Sequence, residues 1–370
     1  MVPQVKRLSF VGTVLFCFTA SKKLQTGKEK NMKKITASAL SAILAVTLCG
    51  CSGQGSSDSP SNPDSEEKVY KVAVVKQLDH ASLDEIANAV TAELDALAEK
   101  NGVKVEYQMY SGNNDASTLQ SIGSDAIVSG VDAIIPIATL AAQTMYVAAE
   151  DTKTPVIFAA ISDPEGAGLT DTDFVTGTSD ALNTEQIMKM ILTANPDVKK
   201  IALLYSPSEA NSARPIAEAK AYLDANSIAY EDFGSPTTRD EVIQTVSSIV
   251  ASGCDAVFTP TDNVIMDAEL TIAPVLAEAG IAHYAGADSF VRNGAFATCG
   301  VNYTDLGKET ADLAFDIMVN GIENSKYYKS YEVMPGGIIT VNTETAAELG
   351  IDTKVFSDFG EIVEVITTED

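Results

Sequence analysis

The chain has 370 residues, and 51 acidic side chains against 25 basic ones give it a formal net charge of −26. Phosphate backbones and anionic lipid surfaces would repel so acidic a protein, so the composition argues against nucleic-acid binding. The absence of tryptophan disfavours a sugar ligand, because sugars are often stacked on large aromatic faces.

The first predicted element is a secretion signal at residues 32–50. Met32-Lys33-Lys34 forms a basic start, residues 35–48 form an apolar segment, and Leu48-Cys49-Gly50-Cys51 resembles a bacterial lipobox. Such a signal peptide is too short to span a membrane and is removed during export. The sequence therefore predicts an extracytoplasmic protein, anchored to the outer face of the cell membrane or held in the periplasm by a lipid on Cys51.

The residues around this signal are expected to stay outside the folded body. Residues 1–31 precede a complete signal peptide, and we interpret them as an upstream artefact. Residues 51–67 are rich in Ser, Gly, Asp and Pro, which predicts a flexible tether. The first 50 residues hold 8 basic and 1 acidic side chains, so the remainder carries 17 and 50, a formal net charge of −33.

From residue 68 onward, apolar segments of strand length alternate with segments of helical spacing. The elements predicted first are strand 70–76, helix 83–100, strand 103–110, helix 115–129, strand 132–137, helix 141–151 and strand 154–160, with residues 175–178 as the exit of this lobe. The elements that follow are helix 183–195, strand 200–205, helix 212–226, strand 229–233, helix 239–252, strand 256–259, helix 264–279 and strand 282–285. A helix ending near residue 320 and an extended stretch at 331–341 complete the chain.

This alternation predicts an α/β fold with two similar Rossmann-like lobes, each a parallel sheet covered by helices. The order of the elements assigns residues 68–178 and 300–328 to the first lobe, and residues 179–299 and 329–370 to the second. Several strands then cross between the lobes, and a hinge of that kind favours closure around something held between them.

A short pattern occurs once in each predicted lobe. Ser129-Gly130-Val131-Asp132-Ala133 and Ser252-Gly253-Cys254-Asp255-Ala256 lie 123 residues apart, and each opens a strand that has a proline near its end and a polar residue after it. The repetition of one βα unit a domain apart predicts two similar lobes that face each other.

The loops that follow the predicted strands are polar, and ligands of open parallel sheets bind outside the carboxyl ends of the strands. The candidate binding residues in these loops are Gln77, His80, Ser111, Thr139, Ser162, Asp163, Ser206, Asn211, Thr261, Asp262, Asn263 and Asp288. Several of these loops open helices, whose N–H groups attract anions, although helix capping alone also explains each loop taken singly. The convergence of many such loops favours a binding cleft.

Motifs for catalysis, metal binding and phosphate binding are missing from the sequence. It contains no HExxH, CxxC pair, GxSxG or GxxxxGK[ST], and no spacing of Ser, His and Asp singles out a triad. Of the two histidines, His283 lies inside a predicted strand, which indicates a structural role. We therefore predict a binding protein without catalytic residues, metal or cofactor.

Two cysteines, Cys254 and Cys299, remain once the signal region and the lipidated Cys51 are set aside. Each lies beside an apolar segment and is most simply interpreted as a small buried hydrophobic residue. A disulfide between them in an oxidising compartment is the alternative.

Five segments of the body together resemble one known family. These are Gln77-Leu78-Asp79-His80-Ala81-Ser82-Leu83-Asp84, the stretch 161–169 with Ser162-Asp163-Pro164-Glu165-Gly166, Val175-Thr176-Gly177-Thr178-Ser179-Asp180, Pro260-Thr261-Asp262-Asn263 and the stretch 286–295 with Gly286-Ala287-Asp288-Ser289. They resemble the TrpX-type family of ABC transporter substrate-binding lipoproteins over nearly the whole body. Ala81-Ser82 departs from the Pro-Ala that this family often has after the histidine.

The resemblance implies a type I periplasmic-binding-protein fold with three crossovers, and an aromatic or other apolar amino acid as ligand, tryptophan being the best known. In that case Thr139 and Ser162 would lie near the ligand carboxylate, and Asp262 or Asp288 would hold its ammonium group. Tyr303 would line the side-chain pocket. The expected partners are an ABC permease and its ATPase subunits, with the binding protein itself a monomer. The alternatives are a ligand sensor without transport, a sugar or nucleoside binder, and a lipid-anchored hydrolase.

Overall fold

The structure, a computed structural model, describes residues 68–368 of the chain. The predicted artefact, signal peptide, tether and lipidated Cys51 lie outside the described residues. Among the residues that are described, no helix is both long and apolar enough to cross a membrane.

The first lobe is built by β1 (Val69–Lys76), α1 (Ala81–Asn101), β2 (Lys104–Ser111), α2 (Ala116–Ser129), β3 (Ala133–Ile137), α3 (Thr139–Ala149), β4 (Val156–Ala159) and β5 (Val175–Ser179). Its sheet has the order β11-β5-β4-β3-β1-β2, where β11 is Glu332–Val333, and every pair in it is parallel. The central strands are buried on both faces, as parallel strands covered by helices must be.

The second lobe is built by α4 (Thr184–Ala194), β6 (Lys200–Leu204), α5 (Ala210–Ala225), β7 (Ala229–Phe233), α6 (Arg239–Ser252), β8 (Ala256–Thr259), α7 (Asn263–Met266), α8 (Glu269–Glu278), β9 (Ala282–Ala285), α9 (Asp288–Arg292) and β10 (Ala297–Gly300). Later segments add β12 (Ile338–Asn342), α11 (Thr343–Leu349) and β13 (Ile362–Val365). The sheet order is β13-β12-β10-β9-β8-β6-β7, and β12 runs antiparallel to β10.

Over residues 68–368 the chain crosses between the lobes three times. It leaves the first sheet after β5, returns after β10 through α10 (Tyr303–Asn320) and β11, and enters the second sheet again at β12. The α/β fold class, the two mainly parallel sheets and the three crossovers are therefore confirmed.

The last crossing corrects one expected boundary. Residues 329–370 were assigned to the second lobe, yet β11 pairs in parallel with β5 of the first sheet. The strand has only two residues, and Glu332 and Val333 both remain accessible. It therefore has no pattern of buried apolar residues from which its sheet could be predicted.

Other elements differ from the predictions, in one case because buried apolar residues continue across the end of a helix. The helix predicted at 264–279 is two helices, α7 and α8, which are separated at Asp267 and Ala268. Apolar residues on both sides of this break are buried, so the hydrophobic pattern runs through it unchanged. The short helix α9 lies where the sequence predicted a loop, and β10, α11 and β13 were not predicted.

Close packing of α1 against α10 brings their first turns together. A Cβ atom added at Gly307 would lie 2.7 Å from both the Ile86 carbonyl oxygen and the Ala89 Cβ, so glycine permits this approach. One turn earlier, the Thr304 hydroxyl donates a hydrogen bond of 2.6 Å to Glu85. The side chains that begin α1 and α10 therefore share one end of the space between the lobes.

Candidate ligand-binding cleft

The loops at the carboxyl ends of the two sheets face each other across a cavity, which we call the cleft cavity. It is lined by His80, Ser82, Leu83, Ala138, Thr139, Ala160, Ser162, Asp180, Asn211, Thr261, Asp262, Asn263, Met266, Ala287, Ser289, Phe290 and Tyr303. Its volume is about 400 Å³ including the mouth, but the centre of a water molecule can occupy only about 30 Å³ of it. The cavity therefore has the position expected for a ligand site, with its walls close together.

The structure distributes the predicted site residues between this cavity and its surroundings. The cavity is lined by His80, Thr139, Ser162, Asn211, Thr261, Asp262, Asn263 and Tyr303. Outside the lining lie Gln77, Ser111, Asp163, Ser206 and Asp288. Gln77 is fully buried behind the wall, where its side-chain oxygen accepts a hydrogen bond of 2.9 Å from the Leu140 N–H.

Asp180 lines the cavity but is not among the candidates selected from the sequence. It follows β5 directly and is 5% exposed. Ser162 donates a 2.9 Å hydrogen bond to one of its carboxylate oxygens, and the Tyr303 hydroxyl donates a 3.1 Å bond to the other. Burial raises the pKa of Asp180, so its charged form lacks compensation that a cation in the cavity would supply. The rule that selected the other post-strand loops also selects this position.

Asp262 also borders the cavity, but its carboxylate is hydrogen-bonded within its own lobe. One oxygen accepts hydrogen bonds from the Val264 and Ile265 N–H groups that begin α7. The other accepts from the Ser206 N–H and the Ser212 hydroxyl, both at 2.7 Å. A carboxylate offers about four acceptor positions, so these donors fill it. The expected ammonium-binding role of Asp262 is therefore revised to helix capping.

Asp288, the other expected ammonium partner, faces a separate surface hollow. Its carboxylate accepts bonds of 2.8 and 3.0 Å from the Arg292 guanidinium, one turn further along α9. Its pKa is raised because the group is buried. The hollow that it lines includes Glu85 and Arg292 but not Asp180.

The start of α3 borders the cavity through Ala138 and Thr139. Ala138, which precedes the helix, has φ 74° and ψ 163°, a region that is nearly exclusive to glycine. Its side chain supplies no cap, and the Thr139 side chain lines the cavity beside it. Gln77 accepts from the Leu140 N–H, and the other N–H groups of this first turn, beside a strained residue, make the point suited to a carboxylate.

Direct hydrogen bonds join the two lobes around the cavity. Ser162 and Thr261 are linked through their hydroxyls at 2.8 Å, and His80 Nε2 lies 3.1 Å from the Asn263 side-chain oxygen. Behind the wall, Gln77 Nε2 donates a 3.1 Å bond to Glu209. These contacts need adjacent lobes, so the structure represents a closed arrangement.

Several buried polar atoms of the cavity wall have no partner within residues 68–368. They are His80 Nδ1, the Ser82 hydroxyl oxygen and the Asn211 side-chain oxygen. The Asn211 amide nitrogen already donates to the Thr261 carbonyl, which fixes the direction of its oxygen. Buried polar atoms are normally hydrogen-bonded, so these atoms mark where polar groups of a ligand would bind.

The two cysteines and the second histidine are buried and do not line the cavity. Cys254 and Cys299 are free and buried, in agreement with the simpler interpretation of these residues. His283 is buried and hydrogen-bonded within the second lobe. Within the described part of the chain, no group of three or more His, Cys, Asp or Glu residues is placed to hold a metal ion.

Comparison with known proteins identifies similar sequences. Residues 71–355 match the family described as ABC transporter substrate binding protein. A tyrosine-binding protein of Clostridioides difficile (strain R20291) is 32% identical over 294 residues, which cover 77% of this chain and 84% of the relative.

Two solved structures are similar to this chain over most of its length. The ABC domain of Streptococcus pneumoniae in complex with L-Trp is 30% identical, covers 80% of this chain and 99% of its own, and has a TM-score of 0.70. A ligand-free, open substrate-binding protein with adhesive properties from Clostridium difficile is 27% identical, covers 81% and 100%, and has a TM-score of 0.61.

Proposed function

The chain belongs to the ABC transporter substrate-binding protein family, and from that premise we propose that it captures an aromatic amino acid between its two lobes. The observation that carries the proposal is Asp180, a buried carboxylate that lines the cavity and whose side-chain donors are two hydroxyl groups. An amino acid brings the ammonium group that such a carboxylate lacks. The tyrosine and tryptophan ligands of two relatives support the choice of an aromatic side chain.

The carboxylate of the ligand is assigned to the start of α3. The Thr139 hydroxyl is available there, and the N–H groups of the first turn that Gln77 does not engage favour an anion, while the Ser162 hydroxyl stays bonded to Asp180. Leu83, Met266 and Phe290 form the apolar part of the wall, where burial of a side chain contributes affinity.

Binding then requires movement of the lobes. Residues of both lobes enclose the cavity, so an amino acid enters while the lobes are apart. Closure around the ligand buries it and re-forms the bonds between Ser162 and Thr261 and between His80 and Asn263. The closed protein, held at the membrane by a lipid on Cys51, delivers the ligand to a permease and carries out no reaction on it.

A melting-temperature screen with free amino acids, sugars and nucleosides tests this proposal. L-Tyrosine or L-tryptophan should raise the melting temperature, since a ligand at 100 times its Kd stabilises the folded state by about 2.7 kcal/mol. A shift produced by sugars or nucleosides, with none from any amino acid, would reject it. Membrane fractionation of cells that carry Cys51→Ser tests the anchor, and the protein should move to the soluble fraction.

A further inference from the structure

His80 uses only one of its ring nitrogens within the described structure. Nε2 lies 3.1 Å from the Asn263 side-chain oxygen of the opposite lobe, whereas Nδ1 is buried without a partner in residues 68–368. Burial also lowers the pKa of His80, which favours the neutral ring. A neutral imidazole has one donor and one acceptor nitrogen, so the role of Nδ1 depends on the role of Nε2.

A chain of hydrogen bonds fixes the role of Nε2. The Leu140 N–H donates to the Gln77 side-chain oxygen, so Gln77 Nε2 is the donor that bonds Glu209 at 3.1 Å. The other Glu209 oxygen accepts a 2.8 Å bond from the Asn263 amide nitrogen. With the Glu209 carboxylate ionised, the Asn263 oxygen faces His80 as an acceptor, so Nε2 carries the proton. Nδ1 is then a bare acceptor.

The surroundings of this acceptor fit the side chain of a ligand rather than its charged groups. His80 precedes α1, and the next cavity residues are Ser82, whose buried hydroxyl also has no described partner, and the apolar Leu83. The strands leading to Asp180 and to His80, β5 and β1, are three strand spacings apart, about 14 Å. An extended aromatic amino acid with a hydrogen bond at each end is suited to such a span.

We propose that His80 Nδ1 accepts a hydrogen bond from the ligand side chain and so selects aromatic amino acids that carry a donor, a phenol O–H or an indole N–H. This selectivity rests on the proposed function, because it assumes an amino acid whose ammonium group binds Asp180. Phenylalanine, which lacks the donor, would leave Nδ1 buried and unpaired, and sites built for a hydroxyl reject such analogues.

Calorimetry at pH 8 on matched ligand pairs tests the inference. L-Tyrosine and L-phenylalanine differ only in the hydroxyl, and 1-methyl-L-tryptophan carries a methyl group in place of the N–H hydrogen of L-tryptophan. For the wild-type protein we expect the ligand with the donor to bind at least about 10-fold more tightly in one pair or both. Binding within twofold in both pairs would overturn the inference, whereas no binding by any of the four would instead reject the proposed function.

Two variants of His80 separate its ligand contact from its bond to the other lobe. In His80→Gln the amide nitrogen reaches the place of Nε2 and keeps the bond to Asn263, but the acceptor at Nδ1 is lost. The preference for the donor should then fall to within about threefold. In His80→Asn the amide oxygen replaces Nδ1, so the preference should persist while both ligands of a pair weaken equally.

Each preference is a ratio measured on one protein sample, so a partly unfolded variant does not distort it. An unchanged ratio in His80→Gln would overturn the assignment. Loss of the preference in Asn211→Ala but not in His80→Gln would do the same, because it would move the acceptor to the Asn211 oxygen.

Discussion

The two histidines of the chain show how the cleft differs from the interior of the second lobe. In the interior, His283 Nδ1 lies 2.8 Å from Glu269 and its Nε2 lies 2.8 Å from the Thr259 hydroxyl. These three residues are at most 2% exposed. In the cleft, His80 has one nitrogen bonded across the lobes and one without a described partner. Both ring nitrogens of His283 are therefore hydrogen-bonded within the protein, whereas the second nitrogen of His80 is left for a ligand.

The two aspartates of the cavity wall make the same distinction. Asp262 accepts hydrogen bonds from backbone and side-chain groups of its own lobe, whereas the side-chain donors to Asp180 are two hydroxyls. A polar group saturated by its own lobe contributes to stability, and one left open toward a cavity contributes to binding. Stability and affinity should therefore respond to different substitutions.

The largest expected effect is on stability, from His283→Ala. Removal of the imidazole leaves Glu269 buried without its partner, which should lower the free energy of unfolding by about 3–5 kcal/mol. Urea denaturation measures this change, and calorimetry on the folded variant should show ligand affinity within twofold of wild type. A weaker ligand with unchanged stability would contradict the distinction between the two histidines.

The next effect is on affinity, from Asp180→Asn. Loss of a charge-assisted bond to the ligand ammonium should weaken binding by about 1.5–3 kcal/mol. The free energy of unfolding should not fall, because the substitution removes a charge that is disfavoured by burial. Calorimetry and urea denaturation on the same preparation check both statements.

Asp262→Asn is the matched control for this substitution. Asparagine can still cap α7, but its amide nitrogen replaces the oxygen that accepts from the Ser206 N–H and the Ser212 hydroxyl, so stability should fall by roughly 1–3 kcal/mol with a smaller effect on affinity. The opposite result, in which Asp262→Asn abolishes binding and Asp180→Asn does not, would restore the role first expected for Asp262.

A third prediction concerns pH and Glu209, which bonds Gln77 across the lobes. Burial first, and then the nearby Asp262 charge, raise the pKa of Glu209 from 4.5 to about 7. Between these values the folded protein holds a proton that the unfolded chain has released, so this group makes the free energy of unfolding fall as the pH rises from about 4.5 to about 7.

Neighbouring groups are accounted for by comparison with Glu209→Gln. Burial raises the pKa of Asp262 and lowers that of His80 in both proteins, and because Asp262 and Glu209 interact, the difference between the two proteins reports the titration of this pair. The wild-type protein should lose on the order of 2 kcal/mol more than Glu209→Gln between pH 5 and pH 8 in urea titrations. Parallel pH profiles for the two proteins would contradict the prediction.

The smallest effect is expected at Ala138. Glycine adopts φ 74° and ψ 163° without strain, so Ala138→Gly should raise the free energy of unfolding by up to about 1 kcal/mol after its greater unfolded entropy is counted. Ala138→Val is the control, and its branched side chain should lower stability. A loss of stability in Ala138→Gly would show that the alanine is not strained there.

Much of the fold could be predicted because it depends on local pattern. Alternating strands and helices specify parallel sheets, and Gly102 and Gly253 end their helices in the left-handed conformation. β11 and the break between α7 and α8 could not be found in this way. Their positions depend on pairing and packing with distant segments rather than on the hydrophobic period.

The site could be located from the sequence, but its charges could not be assigned. The rule for carboxyl ends of parallel strands selects loops, and many of the selected residues line the cavity. Whether an aspartate in such a loop caps a helix or faces the cavity depends on residues far along the chain. Ser206 and Ser212, which saturate Asp262, precede it by 56 and 50 positions.

The direct bonds between the lobes have a consequence for how the protein signals that it is loaded. Bonds such as those from Ser162 to Thr261 and from Gln77 to Glu209 form without any ligand atom. Each contributes about 0.5–1.5 kcal/mol to the closed arrangement, whether or not the cavity is filled. A permease that recognises only the closed shape would therefore also bind closed molecules without ligand. The fraction of ligand-free molecules that are closed depends on these bonds. Substitutions that remove them, such as Thr261→Ala, should reduce that background while the contacts from Asp180 to the ligand remain in place.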